Sequence, residues 1–126
     1  MRRVSKTSVE GETEVTRHGY FSTQWQLLEE RLSPSDTGTE RTFVWGTRYL
    51  DDLVLRDCQN FPAAYRIYAT HDQWHVTGLL WEENGVPLER YCYSAFGVST
   101  VMDGEWNEAE ESAYGWETRY GAYRWD

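Results

Sequence analysis

A tyrosine-rich phrase occurs twice between Tyr65 and Asp103, and this repetition constrains the fold more than anything else in the chain. The first copy runs from Tyr65 through Tyr68 to His71 and Asp72, then Val76-Thr77-Gly78-Leu79-Leu80. The second runs from Tyr91 through Tyr93 to Phe96 and Gly97, then Val98 to Asp103. Between them lies Glu82-Glu83-Asn84-Gly85-Val86-Pro87, whose Asn-Gly pair is a strong hairpin signal. Recurrence at about 25 residues indicates stacked supersecondary units, none able to bury its apolar face alone.

Composition points the same way. Nine Tyr and seven Trp bring the aromatic share to 16%, and such residues suit the pleated, half-buried surface of a sheet. Long runs of Ala, Leu and Lys are absent, so the expected class is all-β, an antiparallel meander of hairpins. A chain of 126 residues fits one domain or one piece of a longer array. Twelve basic residues against 21 acidic ones leave a net charge of −9, which argues against nucleic acid as a partner because a phosphate footprint needs a clustered positive face. No apolar run approaches the roughly 20 residues that span a bilayer. Met1-Arg2-Arg3-Val4-Ser5-Lys6-Thr7 leads into polar residues rather than an apolar core, unlike a signal peptide. Cys58 and Cys92 allow one disulfide, but two thiols do not define a disulfide scaffold, and unpaired thiols are the favoured reading.

Along the chain, residues 1–18 are polar and read as an edge strand or a frayed end, with the β region proper over 19–126. Tyr20 to Arg31 fits a helix from Thr23 or a strand with Trp25, Leu27 and Glu29 on one side; its strand-like flanks favour the strand. Ser33 to Gly38 is dense in turn residues. Phe43, Trp45 and Thr47 alternate with Thr42, Val44 and Gly46, with Gly46 a candidate bulge. Asp51-Asp52 separates this strand from Leu53 to Arg56, and Cys58 to Ala63 reads as a loop around Pro62. Tyr65 to Thr70 and Trp74 to Trp81 are expected strands around a His71-Asp72-Gln73 turn. Asn84-Gly85 is expected as a two-residue turn with positive φ at both positions. Leu88 to Tyr93 and Val98 to Met102 complete the set, and the acidic run of about 104–119 reads as a solvated loop, ordered or disordered.

With these segments placed, the chain resembles the Rhs/YD-repeat family. Tyr91-Cys92-Tyr93-Ser94-Ala95-Phe96-Gly97 is similar to its Tyr-x-Tyr-Asp-x-x-Gly phrase, and Asn84 to Arg90 to the turn and strand before it. Segments Trp25 to Arg31, Val44 to Asp52 and Tyr120 to Asp126 resemble stretches around the family's associated core, so the resemblance covers roughly 20–126. Ser94 departs by standing where the family has Asp, which leaves a weaker hydroxyl to hold the turn. The family's closing segment and any toxin domain do not follow, and the chain reads as a fragment. The resemblance implies a curling sheet within a hollow shell around a C-terminal toxin or other cargo. It implies a non-catalytic role without cofactor, other repeats or self-association as partners, and a secreted or cell-surface setting. Tyr65, Tyr68, Asp72, Asn84, Gly85, Arg90, Tyr91, Tyr93, Phe96 and Gly97 are then structural motif positions.

Candidate chemistry is sparse. His71 and His75 flank Asp72 at a ligand-like spacing, but no third metal ligand has convincing spacing, so no metal is expected. Glu29-Glu30 and Asp51-Asp52 are paired carboxylates, yet neighbours on a strand point to opposite faces and do not converge on a glycosidic bond. Cys58 and Cys92, with His18, His71 and His75 elsewhere, lack a nucleophile signature; Cys92, between two tyrosines, reads as a small buried apolar residue. Trp25, Trp45, Trp74 and Trp81 fit the inner face of a sheet or, in the alternative reading, a carbohydrate- or surface-binding module.

Overall fold

A computed structural model of the chain describes residues 1–32, 39–49, 52–59, 64–73 and 75–119. Among them the structure is all-β: β1 (Arg2–Glu10), β2 (Thr13–Phe21), β3 (Leu27–Leu32), β4 (Thr39–Trp45), β5 (Leu53–Cys58), β6 (Tyr65–Asp72), β7 (His75–Trp81), β8 (Pro87–Tyr93), β9 (Ser99–Asp103) and β10 (Glu108–Ala109). They form one antiparallel sheet in sequence order, with β1 and β10 at its two ends and no pairing between them. The sheet is therefore an open meander and not a barrel. It curls far enough that Glu10 and Val15 of the first hairpin line the same cleft as Tyr65 of β6.

Strand alternation divides the sheet into two unlike faces. The inner face carries Leu53, Ile67, Val76, Leu79, Tyr91 and Val101, all buried in one cluster, with Phe43, Trp45 and Tyr65 packed against it. On the outer face, one row across the strands joins Thr70, Gly78, Arg90 and Met102, and the next joins Cys92 to Thr100. Residues 110–119 then fold back across the inner face as a strap. Its Trp116, only 1% exposed, sits in the centre of the cluster. The register slips near the ends of several strands, between Val44 and Trp45 and between Thr70 and His71 among others, as expected where a sheet bends.

The hairpin at residues 22–26 ends the ambiguity of that segment. The Ser22 N–H donates to the Gln26 carbonyl at 2.9 Å, and the Ser22 hydroxyl accepts from the Gln24 and Gln26 amides. Trp25 takes φ 65° at the tip. The expected single strand is thus broken by a turn, and only from Leu27 does strand resume. The same pattern recurs at Ser94, Asp103 and Ser112. In each, the side-chain oxygen accepts the amide four residues on. The residue before that amide has positive φ: Gly97 at 84°, Trp106 at 73° and Gly115 at 57°. A short side-chain acceptor satisfies turn amides that the ladder leaves unpaired, so Ser, Thr, Asp and Asn suit this position.

Other expectations are corrected. Of the two readings of residues 1–18, the edge strand holds and the frayed end does not: β1 lies at the end of the sheet and pairs with β2 along its whole length, and β2 runs on to Phe21. His71 and Asp72 belong to β6, opposite Val76 and His75, because the bulge beside Thr70 lets the ladder continue. Around Asn84-Gly85 the loop is longer than two residues: the Gly85 N–H reaches the Trp81 carbonyl at 2.9 Å, and of the pair only Gly85 has positive φ, at 67°. The acidic run is not one solvated loop, since it contains β10 and the strap. Cys92 is exposed, because the outer face opposite Tyr91 and Tyr93 has no covering layer there, whereas Cys58 is buried; both thiols are free. The expected turn at 33–38, Asp51, the loop at 60–63, Trp74 and the 120–126 phrase lie outside the described residues.

Candidate functional site

The charged groups of the inner face are the natural place to look for chemistry, since a charge kept from water must be matched or used. Arg56, 1% exposed on β5, donates to the Gly115 carbonyl at 3.0 Å and the Tyr114 carbonyl at 2.6 Å, with its guanidinium 4.9 Å from the Trp116 ring. From β8, Glu89 accepts the Ala113 amide at 2.6 Å, the Ser112 hydroxyl at 2.8 Å and the Tyr91 hydroxyl. Arg119 donates to the Ser99 hydroxyl at 3.1 Å, and its carbonyl accepts the Val76 amide at 3.1 Å. Each of these groups holds the strap. Burial pushes the Tyr91 hydroxyl well above its usual range, helped by the neighbouring Glu89 carboxylate, and burial does the same to Tyr93, whose hydroxyl donates to the Val76 carbonyl.

Beside the strap, β1 to β4 line two clefts of about 330 and 480 Å³. Arg17 bridges them, donating to Glu40 at 2.9 Å and to Glu10 at 2.5 Å, which holds its own pKa well above the ordinary arginine value. Arg41 reaches Glu30 at 3.3 Å. At the opposite end of the strands, Asp52 accepts both Arg48 donors at 2.9 and 2.5 Å, and the Arg48 hydrogen bonds lower its pKa. Gly46 is required here by closeness rather than by φ: a Cβ would lie 2.0 Å from the Asp52 carboxylate. These carboxylates are matched by arginines.

His71 donates through Nε2 to the Leu53 carbonyl at 2.6 Å, while the His75 ring lies 5.3 Å from Tyr93. Among the described residues no three His, Cys, Asp or Glu side chains gather as a metal site. Glu29 pairs with Arg31 on the outer face and Glu30 is buried toward Arg41, so this carboxylate pair does point to opposite faces. His18 lies beside Ser5 and Arg3 on the outer face, far in the sheet order from Cys58 and Cys92. Of the motif positions, Tyr91 joins the core, Tyr93 and Tyr65 pack against it, and Tyr65 lies 5.9 Å from Trp81. Tyr68 and Asp72 are exposed; Phe96 is 96% exposed at a turn tip, and Gly97 beside it takes φ 84°. Asn84 ties its own turn by accepting the Val86 amide at 3.0 Å, next to Gly85. Arg90 stands on the outer face over Trp106. Trp45 is spent on packing, with its indole donating to the Leu27 carbonyl at 2.7 Å. Sequence reasoning passed over Trp106 and Trp116; Trp106 stands in the Ser/Asp-x-x-Gly/Trp spacing, and Trp116 follows the glycine of another copy.

No family model, no curated protein and no solved structure matches this chain.

Proposed function

We propose that the chain is a non-catalytic structural segment of an Rhs/YD-repeat-like protein, a stretch of β-sheet wall that helps enclose and deliver a toxin or other cargo lying outside this chain. The observation that supports this reading is the use of its charges. Arg56, Glu89 and Arg119 tie the strap to the sheet, while Arg17, Arg41 and Arg48 pair with Glu10, Glu40, Glu30 and Asp52. A strip of hairpins with an open nine-residue strand at one end is also the form in which a wall is extended. In such arrays each unit is stabilised by its neighbours. The test is a fusion of two copies through a Gly/Ser linker of about 15 residues. The wall reading predicts that the fusion melts cooperatively and several degrees above the single chain. Two copies melting independently at the single-chain temperature would overturn it.

A further inference from the structure

A cleft on the outer face backs onto Glu89 and Tyr91 of β8, the strand whose inner side holds the strap. It measures about 290 Å³ and is lined by Thr70, Thr77, Gly78, Arg90 and Trp106, among others. Gly78 makes its floor: a Cβ there would come within 3.0 Å of the Thr70 hydroxyl. The Thr70 and Thr77 hydroxyls lie 3.3 Å apart beside it. Trp106 forms the wall, 62% exposed and held at φ 73°, in the turn position that Gly97 and Gly115 fill elsewhere. A bulky residue in the left-handed region is strained, and this one contributes nothing to the core cluster. Arg90 lies 4.1 Å from its ring and donates from Nε to the Gly104 carbonyl at 3.2 Å; its two terminal nitrogens have no protein partner among the described residues.

We propose that this cleft binds one ring of a neutral oligosaccharide. The C–H face of a hexopyranose stacks on the indole face that Arg90 leaves open, while its hydroxyls reach the Thr77 hydroxyl and the remaining acceptor of Thr70, whose hydroxyl donates to the Gly78 carbonyl at 3.2 Å. The Arg90 terminal nitrogens supply further donors. A net charge of −9 disfavours a polyanionic sugar, so the ring is neutral. At the small end of the range for ligand sites, the cleft admits a single ring. This inference does not rest on the wall reading, and either stands if the other fails.

The test is a titration of the ¹⁵N-labelled chain with cellohexaose, maltohexaose, mannohexaose and chitohexaose, with hexagalacturonate as the acidic comparison. The proposal predicts that at least one neutral sugar shifts the Trp106 indole and the Thr70, Thr77 and Gly78 amides, with a Kd on the order of 1 mM. Trp106→Gly then weakens binding at least tenfold while its Tm stays within about 4 °C of the parent, because glycine takes the positive φ without strain. Trp25→Gly, at the other exposed turn tryptophan, binds like the parent. Silence from all four neutral sugars at about 10 mM overturns the proposal, as does a preference for hexagalacturonate. So does a Trp106→Gly variant that binds normally, or one that melts far below the parent, which would make Trp106 a structural residue.

Discussion

Glu89 illustrates how single residues divide their duties in this chain. It is a carboxylate on a strand whose neighbours in the core are aromatic and aliphatic, and it ends the unpaired state of three strap or sheet donors at once. Removing it leaves the buried Tyr91 hydroxyl without its acceptor and frees the Ser112 and Ala113 donors of the strap. Glu89→Ala is therefore expected to cost about 2–4 kcal/mol, a fall in Tm of about 10 °C, with Glu89→Gln falling between it and the parent. Thermal melts of the three proteins check this, and a Glu89→Ala variant within about 0.5 kcal/mol of the parent would contradict the anchoring role. The tyrosines give a second expectation. The folded-state pKa values of Tyr91 and Tyr93 are raised above the ordinary value of 10.0, chiefly by burial. The stability they contribute is fully present below pH 10 and is lost as pH rises beyond it, since the unfolded chain releases those protons first. Phenolate absorbance against pH should show these two tyrosines ionising late, together with unfolding; their titration with the exposed set would refute the burial.

At the scale of elements, the strands were legible because apolar and polar residues alternate with period two from Phe43 through Val101, and the all-β class follows from that alternation alone. The breaks were harder. Trp25 and Trp106 occupy turn positions of positive φ where sequence reasoning expects glycine or asparagine, so the hairpin at Ser22 was hidden inside an alternating run. The strap was hidden for another reason. Glu105, Glu108, Glu110, Glu111 and Glu117 give its surroundings the composition of a solvated loop. Its burial rests on long-range partners, Arg56 and Glu89, that no local pattern announces. The buried charges were illegible for the same reason: Arg56 reads as a strand polar residue until Trp116 is laid across it. Trp116 is thus the key of this element, and Trp116→Ala is expected to cost about 3–5 kcal/mol, a large part of the stability of a domain this size. Loss of near-ultraviolet dichroism with gain of dye binding at ambient temperature would mark the uncovered core. A variant retaining the parent spectrum and melting point would place the strap outside the fold's stabilisation.

The whole molecule is an open sheet, and we propose that its free edge takes up a neighbour. β1 pairs with β2 along nine residues with no register slip, and among the described residues its other side is unpaired. Long, straight edges of this kind recruit further strands. Successive residues turn their backbone N–H groups alternately toward and away from the partner, so one of Ser5 and Lys6 faces outward. Proline at that position blocks the free edge without touching the β1–β2 ladder. Sedimentation velocity on the full chain and on Ser5→Pro and Lys6→Pro, from about 1 μM to 1 mM, reads this directly. A free β1 edge makes the parent gain mass with concentration, while one of the two proline variants keeps its fold and remains monomeric throughout. A parent that stays monomeric across the whole range would contradict it.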